Sequence, residues 1–576
     1  MAVSVQSRSP EHLRALVDMG SNGIRFSISD LQPPTQRIMP TIYQHRVGIS
    51  LYDAQYNAAT GERVPIDDKT ISNVCSAFKR FRRTCQDYEV PEEHVTVLAT
   101  EATRTAVNSE EFRAAIKEAT GWDVTMLAKE DEGRVGAMGV ASSLPEVSGL
   151  VMDLGGGSTQ LSWLFKDGEK VMMPEGGSVS MPYGAAAMSR RLAAAEKAGS
   201  GEVKRLKEEV GAAVKSAYRT LKVPEEMEEK AKSKGGFTLY LSGGGFRGWG
   251  YVLMSQHRVS PYPIPAINGF KVSRREFLST DQVKAKAKEA LENSDEENEL
   301  FRISDRRASQ VPAVSLLVNV LAEALPQIKE VRFCQGGVRE GHLFSSLPAE
   351  IKAEYPLVVA TRPVAPKSST RLLKLLRSAF PDGSTQNAHD DYKSVFTPEL
   401  LEAFTNLIYY HGSHSKDLQA SAAIRSTTSG ILAGVHGVLH ESRALIALLL
   451  CARWGGSGSL PPTDEPFKKS LEALVESPWA LWWINYLGAV ASLIASVYPA
   501  GAVPDKERLR LKAEWDLDEK RRPVLELTAR TDGDVDGELL GVELKGIEKV
   551  GKRKRWIGGR EGIGHRVRVE VEGTQK

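Results

Sequence analysis

The pattern of apolar and polar positions divides the chain into three parts. From residue 13 to residue 347, short apolar runs such as 15–17, 95–99 and 237–241 alternate with segments like 68–88, whose apolar residues recur every three or four positions. Runs of the first kind predict strands, and segments of the second kind predict helices. Strands that alternate with helices are typical of an α/β fold.

The order of predicted elements occurs twice in this first part. Residues 13–142 give three strands followed by alternating helices and strands, and residues 143–347 repeat that order. A duplicated order predicts two related domains, 13–142 and 143–347, that face each other across a cleft.

The pattern changes after residue 347. Pro356, Pro363 and Pro366 lie in a stretch that predicts a helix-free linker over 348–370. Helical periodicity over 371–500 predicts an all-helical domain. Alternation with period two at 525–527, 542–544 and 567–571 predicts a small β region over 501–576.

Residues 479–498 form a segment of 20 residues without a charge, which is long enough to cross a bilayer. It contains polar residues such as Asn485 and has no marked cluster of Lys or Arg at its flanks. These features favour a buried helix of the helical domain over a membrane span. We therefore expect no membrane partner.

Composition and net charge further limit the class of protein and its partners. The chain has 576 residues, enough for several domains, and a net charge of +2 that gives no electrostatic case for a nucleic-acid partner. Its four cysteines are scattered without metal-binding spacing, and residues 1–10 lack the apolar core of a signal peptide. We expect a reduced, cytoplasmic protein.

Two segments carry the same candidate chemistry. Each has an apolar run that ends in an aspartate (Asp18 or Asp153), then a turn of glycines and small polar residues, then a second apolar run. Such turns let phosphate oxygens approach backbone N–H groups, and the aspartate can hold a hydrated Mg²⁺. The repeat predicts that a phosphorylated ligand binds between the two halves.

Six motifs occur in a fixed order: 18–22 with Arg25, 99–102 with Arg104, 132–134, 153–159, 242–245 and 337–341. Together they resemble the exopolyphosphatase/guanosine pentaphosphate phosphohydrolase (Ppx/GppA) family, a branch of the actin-like ATPase superfamily. The resemblance covers about residues 13–347. It implies a duplicated actin-like (ribonuclease H-like) α/β fold, followed here by the helical domain and the small β region.

The resemblance also implies roles for individual residues. Glu132 matches the catalytic glutamate that orients or deprotonates water, with Glu130 a weaker candidate, and Asp18 and Asp153 would anchor Mg²⁺. Arg25 and Arg104 would be cationic donors to phosphate. The implied phosphate-binding set is Gly20, Ser21, Asn22, Arg25, Arg104, Gly155, Gly156, Gly157, Ser158, Gly243, Gly244 and Gly245.

Two positions depart from the family pattern. Gln160 stands where the family has a glutamate, which should weaken the binding of Mg²⁺. Gly23 stands where the family has a serine, so one hydroxyl donor is missing. Together the departures are compatible with a protein that binds a phosphorylated ligand but hydrolyses it slowly or not at all.

Two functions follow from these residues. Segment 263–270 and the long helical tail resemble a fungal branch of the family, implied to relay mitochondrial status to nuclear gene expression. This favours a signalling regulator that binds polyphosphate or a nucleotide, acts through regulatory protein partners and can form a homodimer. The alternative is an active exopolyphosphatase or nucleotide phosphohydrolase.

Four further motifs are weaker. Residues 532–543 satisfy an EF-hand pattern, but both flanks predict strands, so an acidic turn is favoured over a calcium site. His436 and His440 have the spacing of a zinc dyad on a helix, and structural roles are favoured for both. His389 with Asp390 is interpreted as metal-free, and the basic cluster 552–555 as a solvated face.

Overall fold

The structure is a computed structural model that describes residues 8–57, 62–292, 303–381, 392–531 and 535–573. The first half of the duplicated fold, residues 13–142, has the elements β1 (Leu13–Gly20), β2 (Gly23–Asp30), β3 (Thr41–Val47), α1 (Asp68–Asp87), β4 (Val95–Ala99), α2 (Glu101–Arg104), α3 (Ser109–Thr120), β5 (Val124–Met126) and α4 (Lys129–Ser142). Its strands form a five-stranded sheet of order β3-β2-β1-β4-β5 with helices packed on it.

The second half repeats this arrangement. Its elements are β6 (Val147–Leu154), β7 (Thr159–Asp167), β8 (Lys170–Met172), β9 (Val179–Met181), α5 (Ala185–Ala198), α6 (Ser200–Thr220), α7 (Glu225–Ser233), β10 (Phe237–Ser242), α8 (Gly243–Ser255), β11 (Lys271–Ser273), α9 (Arg274–Phe277), α10 (Thr280–Glu292), α11 (Asp305–Ala324), β12 (Ile328–Phe333) and α12 (Val338–Ser346). The sheet order β8-β7-β6-β10-β12 reproduces that of the first half, with β11 added at one edge. The predicted duplicated actin-like fold is confirmed.

The two hairpins that carry the aspartates have equivalent registers. In the β1–β2 hairpin Asp18 pairs with Arg25, and in the β6–β7 hairpin Asp153 pairs with Gln160. Both first strands are central in their sheets and also pair in parallel with a following strand, β4 or β10. Each aspartate therefore lies at the end of a strand that is held on both sides.

The helical region begins earlier than predicted. Its helices are α13 (Ala349–Ala353), α14 (Pro356–Thr361), α15 (Ser369–Arg377), α16 (Tyr392–Val395), α17 (Pro398–Leu407), α18 (Lys416–Ile424), α19 (His440–Arg453), α20 (Glu465–Glu472) and α21 (Pro478–Val497). The prediction of a helix-free linker over 348–370 is therefore wrong. Pro356 occupies the first turn of α14, where a missing N–H costs no hydrogen bond, so it starts a helix rather than preventing one.

Helix α21 is the centre of this region. By length and composition it could span a membrane, but 72% of its most apolar 18-residue stretch is buried inside the protein. Trp482, Trp483 and Tyr486 are fully buried, and the Tyr486 hydroxyl donates to the carbonyl of Ala379 at 3.0 Å. These contacts are those of a core helix.

The C-terminal region is a small α/β unit rather than a β element alone. Strands β13 (Leu509–Leu517), β14 (Pro523–Thr531) and β15 (Arg566–Gly573) form a sheet in that order, and helix α22 (Gly537–Val550) connects the last two. The strand predicted at 542–544 is wrong. Leu540, Leu544 and Ile547 are buried at helical spacing, a period that a three-residue window cannot reveal.

Helices α4 and α12 are in backbone contact. A methyl group added at Gly139 would lie 2.9 Å from Gly336 C and from Gly337 N, and one at Gly341 would overlap the carbonyl of Val135. Ser143 Oγ, just beyond α4, accepts from Gly336 N at 2.9 Å. Small residues on both helices therefore fix the distance between them.

We predict that Gly139→Ala destabilises the protein by about 1–3 kcal/mol, because its methyl group has no space between α4 and α12. Gly136→Ala on the same helix is the matched control. No atom lies within 4 Å of a methyl group there, so helix propensity should stabilise it by up to about 1 kcal/mol. Urea unfolding of both variants measures the difference. Equal stabilities would contradict the inferred contact.

Candidate phosphate-binding site

A cavity of about 130 Å³ lies between the two halves, at the ends of strands β1, β6 and β10. Both hairpin turns and the N-terminus of α8 border it. Twelve of the predicted site residues line it: Asp18, Gly20, Ser21, Asn22, Arg25, Glu132, Asp153, Gly155, Gly156, Ser158, Gly243 and Gly244. These twelve residues therefore converge in space, although they are spread over 227 positions of the chain.

Three predicted phosphate-binding residues are not part of this lining. A side chain at Gly157 would meet the Glu101 carboxylate, and one at Gly245 would overlap the Leu154 side chain, so both glycines serve close packing. Arg104 contacts Glu132 instead, at 3.1 Å between Nη2 and Oε2. Arg104 is therefore connected to the cavity by its contact with Glu132, the predicted catalytic residue.

The two aspartates are buried and close enough to influence each other. Burial raises the pKa of Asp18, and the nearby cation of Arg25, 3.6 Å away, opposes that rise. Burial likewise raises the pKa of Asp153, which a hydrogen bond from Ser242 opposes and the charge of Asp18 adds to. Two desolvated carboxylates in one cavity favour a cation between them.

Glu132 lies in the first turn of α4 and points into the same cavity. Burial raises its pKa to about 7, while the hydrogen bond and charge of Arg104 oppose the rise. The charges of Glu101 and Asp153 raise it further. A carboxyl group with a pKa near neutrality can accept a proton at physiological pH.

Sequence reasoning missed four arginines that line the cavity: Arg46 on β3, Arg247 on α8, and Arg306 and Arg307 on α11. Burial, and then the charges of Arg25 and Arg307, lower the pKa of Arg247 to about 9. Burial and the charges of Arg46 and Arg25 lower that of Arg307 to about 10. Arg247 and Arg307 are therefore desolvated and are repelled by neighbouring arginines.

One sequence signal could have found Arg247. It lies four positions beyond the glycine that opens α8, so it shares the face of the helix N-terminus that borders the cavity. No such signal marks Arg46 or Arg306, because strand pairing and helix packing bring them to the cavity from other parts of the chain.

Arg306 spans the mouth of the cavity. Its Nη2 lies 2.6 Å from Asn22 Oδ1, 2.6 Å from Ser50 Oγ and 2.6 Å from Asp53 Oδ2. Asn22, Ser50 and Asp53 belong to the first half and Arg306 to the second. The contact therefore holds the two halves together beside the site.

Both departures from the family pattern have structural counterparts. Gln160 is buried, and its Nε2 donates to Ser158 Oγ at 2.9 Å. A side chain at Gly23 would lie 3.0 Å from Val47 O and 3.1 Å from Arg46 Nε. Arg46 Nη2 also donates to the carbonyl of Asn22 at 2.8 Å. A cation thus occupies the space that a serine side chain would need.

The two histidines of the weaker motifs lie outside the lining of this cavity. His436 precedes α19 in a turn closed by Gly437 (φ +89°), so it does not share a helix with His440 as their spacing predicted. His436 bonds Ser142 Oγ at 2.8 Å, and His440 bonds the Tyr262 hydroxyl at 2.8 Å. Within the described residues no group of three His, Cys, Asp or Glu side chains could hold a metal. His389, Asp390 and the first residues of the EF-hand pattern, 532–534, lie outside those residues.

Family models match nearly the whole chain. The Ppx/GppA phosphatase family matches residues 31–350, and the RTG2 C-terminal domain matches residues 355–574. Because the first match covers more than half of the sequence, the chain belongs to the Ppx/GppA phosphatase family. The predicted resemblance is confirmed.

Individual relatives refine this placement. The chain is 43% identical over 503 residues to Retrograde regulation protein 2 of Saccharomyces cerevisiae, which covers 86% of this chain and 82% of that protein. It is 26% identical over 153 residues to a guanosine-5'-triphosphate,3'-diphosphate pyrophosphatase of Pseudoalteromonas atlantica (26% of this chain, 28% of that one). The solved Ppx/GppA family member of Aquifex aeolicus is 23% identical with a TM-score of 0.43, over 58% of this chain and 96% of that one.

We predict that Glu132→Gln stabilises the protein at pH 8 but not at pH 4. A carboxyl group whose pKa rises from 4.5 to about 7 on folding favours the folded state below pH 4.5 and loses that contribution as the pH rises through 7. Glutamine cannot ionise, so the variant should gain up to about 3 kcal/mol over the native chain at pH 8.

Denaturant unfolding at pH 4, 6 and 8 measures this difference, with Glu130→Gln as the control. Glu130 is exposed on the same helical turn and should give no pH-dependent difference. A difference at pH 8 that is the same for both variants would show that Glu132 is not desolvated.

Proposed function

We propose that this protein is a signalling regulator that binds a phosphorylated ligand, polyphosphate or a nucleotide, in the cleft between its two halves. One observation carries the proposal: five arginines from four elements (Arg25, Arg46, Arg247, Arg306 and Arg307) converge on a cavity lined by glycine turns. Among them, Arg247 and Arg307 have pKa values lowered by burial and by the charges of neighbouring arginines, and an anion would relieve both effects. Guanidinium groups and backbone N–H groups suit phosphate oxygens in particular.

Mg²⁺ is the proposed cofactor, and Asp18 and Asp153 are the residues that would hold it. Their burial and raised pKa values fit a cation. Mg²⁺ keeps several waters and needs only one or two carboxylates when phosphate supplies further oxygens. When bound, it would neutralise charge on the phosphate group. Gln160 in place of a glutamate supports weakened affinity.

Hydrolysis, where retained, would use Glu132 as the base. Its carboxylate would accept a proton from a water molecule, the water oxygen would bond to the terminal phosphorus, and the phosphoanhydride P–O bond would break to release phosphate. Because the pKa of Glu132 is about 7, the rate should rise as the pH increases through neutrality. Arg104 is proposed as a positioning residue that keeps this pKa from rising further.

The regulatory part of the proposal is supported by likeness along most of the chain. The relative with 43% identity is named a retrograde regulation protein, and the match continues through the region after residue 355. We propose that the chain takes part in mitochondria-to-nucleus communication from the cytoplasm. The helical region would contact regulatory proteins, and a homodimer is compatible with this role.

We predict that Arg247→Gln weakens binding of tripolyphosphate and of nucleoside triphosphates. Loss of one charge-assisted contact is worth about 1.5–3 kcal/mol, which corresponds to roughly 10- to 150-fold in Kd. Arg134→Gln is the matched control, because Arg134 is exposed and lies outside the cavity lining although it belongs to the same 132–134 motif as Glu132. Calorimetry measures binding, and phosphate release in the same samples measures turnover.

Binding of both ligands that is unchanged in Arg247→Gln would refute the cleft as their site. If the native chain binds these ligands but releases no phosphate, the protein is a ligand sensor without hydrolase activity. Release that Glu132→Gln abolishes, with binding retained, would establish Glu132 as the base.

We predict that Gln160→Glu strengthens the dependence of ligand binding on Mg²⁺. A carboxylate paired in register with Asp153 restores a negative charge beside the proposed cation. Ligand affinity measured across a Mg²⁺ titration should reach half of its maximum at a lower Mg²⁺ concentration than in the native chain. Gln160→Met removes the amide without adding charge and should not lower that concentration. Equal titrations for Gln160→Glu and the native chain would argue against a cation at Asp153.

A further inference from the structure

A second cavity, of about 520 Å³, lies at the other end of the second sheet. The cleft is formed where β6 and β10 end and β7 begins, whereas this cavity is formed where β6, β10 and β12 begin and β7 ends. Residues of the helical region close one side of it, including Tyr355, Thr397 and Leu439. The two cavities are therefore separated by the length of the strands.

A buried lysine lines this second cavity. Lys166, near the end of β7, is 2% exposed, and its Nζ donates to the carbonyl of Pro145. In the ranges that the structure describes, this carbonyl is the one hydrogen-bond partner of the ammonium group, which has three N–H donors. Burial and the charge of Arg37 lower its pKa to about 7, while Glu146 and Asp167 oppose the decrease. Desolvating a lysine is unfavourable unless an anion compensates it.

Three more lysines surround the opening. Lys230 and Lys234 come from α7 and its C-terminal end, and Lys329 comes from β12. All three are exposed, and none has an ion pair among the described residues. The lining also contains Arg332, whose charge is matched by Glu330 at 3.2 Å and by Glu441 at 3.3 Å.

The remaining charges of the lining are unequal. Once the Arg332 contacts are set aside, four lysines face two carboxylates, Glu146 and Asp167, that have no ion pair within the described part of the chain. Apolar surface from Phe165, Met227 and Tyr355 lies between these charges. The lining therefore combines excess positive charge with an apolar wall, the composition expected of a site for an organic anion.

We propose that this cavity binds a small organic anion, with its phosphate or carboxylate group at Lys166 and the surrounding lysines and its apolar part against Phe165 and Tyr355. This site is distinct from the cleft and does not depend on the function proposed there. Because its walls come from the second sheet and from the helical region, a bound anion would contact both. Occupancy would therefore stabilise the attachment of the helical region.

The proposal is tested by lysine acylation of the full chain with an amine-reactive acetyl ester, followed residue by residue with mass spectrometry. The probe is phenyl phosphate, compared with inorganic phosphate and benzoate to separate the contributions of charge and ring. Phenyl phosphate should slow acylation of Lys230, Lys234 and Lys329 severalfold. The exposed Lys69 on α1 is the internal control and should be unaffected.

Two variants assign the protection to this cavity. Lys166→Met retains the length and apolar stem of the side chain and should abolish protection without lowering stability, since it removes a buried charge. Arg247→Gln, in the cleft, should leave protection intact. Absence of protection in the native chain, protection that extends to Lys69, or protection that persists in Lys166→Met would each overturn the proposal. Loss of protection in Arg247→Gln would do so as well, because the anion would then bind in the cleft.

Discussion

The backbone contact between α4 and α12 is the constraint on which the site depends. Glu132 is at the start of α4, and Gly337 at the start of α12 lines the same cavity. Because glycines let the two helices touch, Glu132 and Gly337 are held by one rigid pair of helices. The same pair reaches the helical region, since Ser142 at the end of α4 bonds His436. A shift of α4 would therefore move Glu132 at one end of the helix and the contact with His436 at the other end together.

The cleft contains buried acidic and basic groups whose charges are only partly compensated. Carboxylates with raised pKa values and arginines with lowered pKa values occur in one desolvated space. The charged form of each group is therefore destabilised by burial and by neighbouring groups of the same charge. Asp18 and Arg25 pair directly, at 3.6 Å. Such an arrangement lowers the stability of the empty protein. A phosphate with a bound cation would compensate both sets at once.

The sequence predicted those features that are local in the chain. The Asp18 and Asp153 hairpins, helix α1 and the duplicated order of elements follow from turn residues and periodicity, and the structure has them at nearly the predicted positions. Arg46 and Arg306 could not be predicted in this way, because they reach the cavity through tertiary packing alone. Helix α22 was missed because three alternating residues fit a strand as well as a helix, and only the burial of Leu540, Leu544 and Ile547 decides between them.

The two cavities share strands, and this limits how they could influence each other. Strands β6, β7 and β10 connect them, but each is held by backbone hydrogen bonds along its length, and a paired sheet is stiff along its strands. Coupling through a change in the sheet itself is therefore disfavoured. The softer route is relative motion of whole units, since Arg306 holds the two halves at the cleft and Tyr355 and Leu439 attach the helical region at the second cavity. A ligand at one site would then affect the other site by changing how tightly the two halves and the helical region pack against one another.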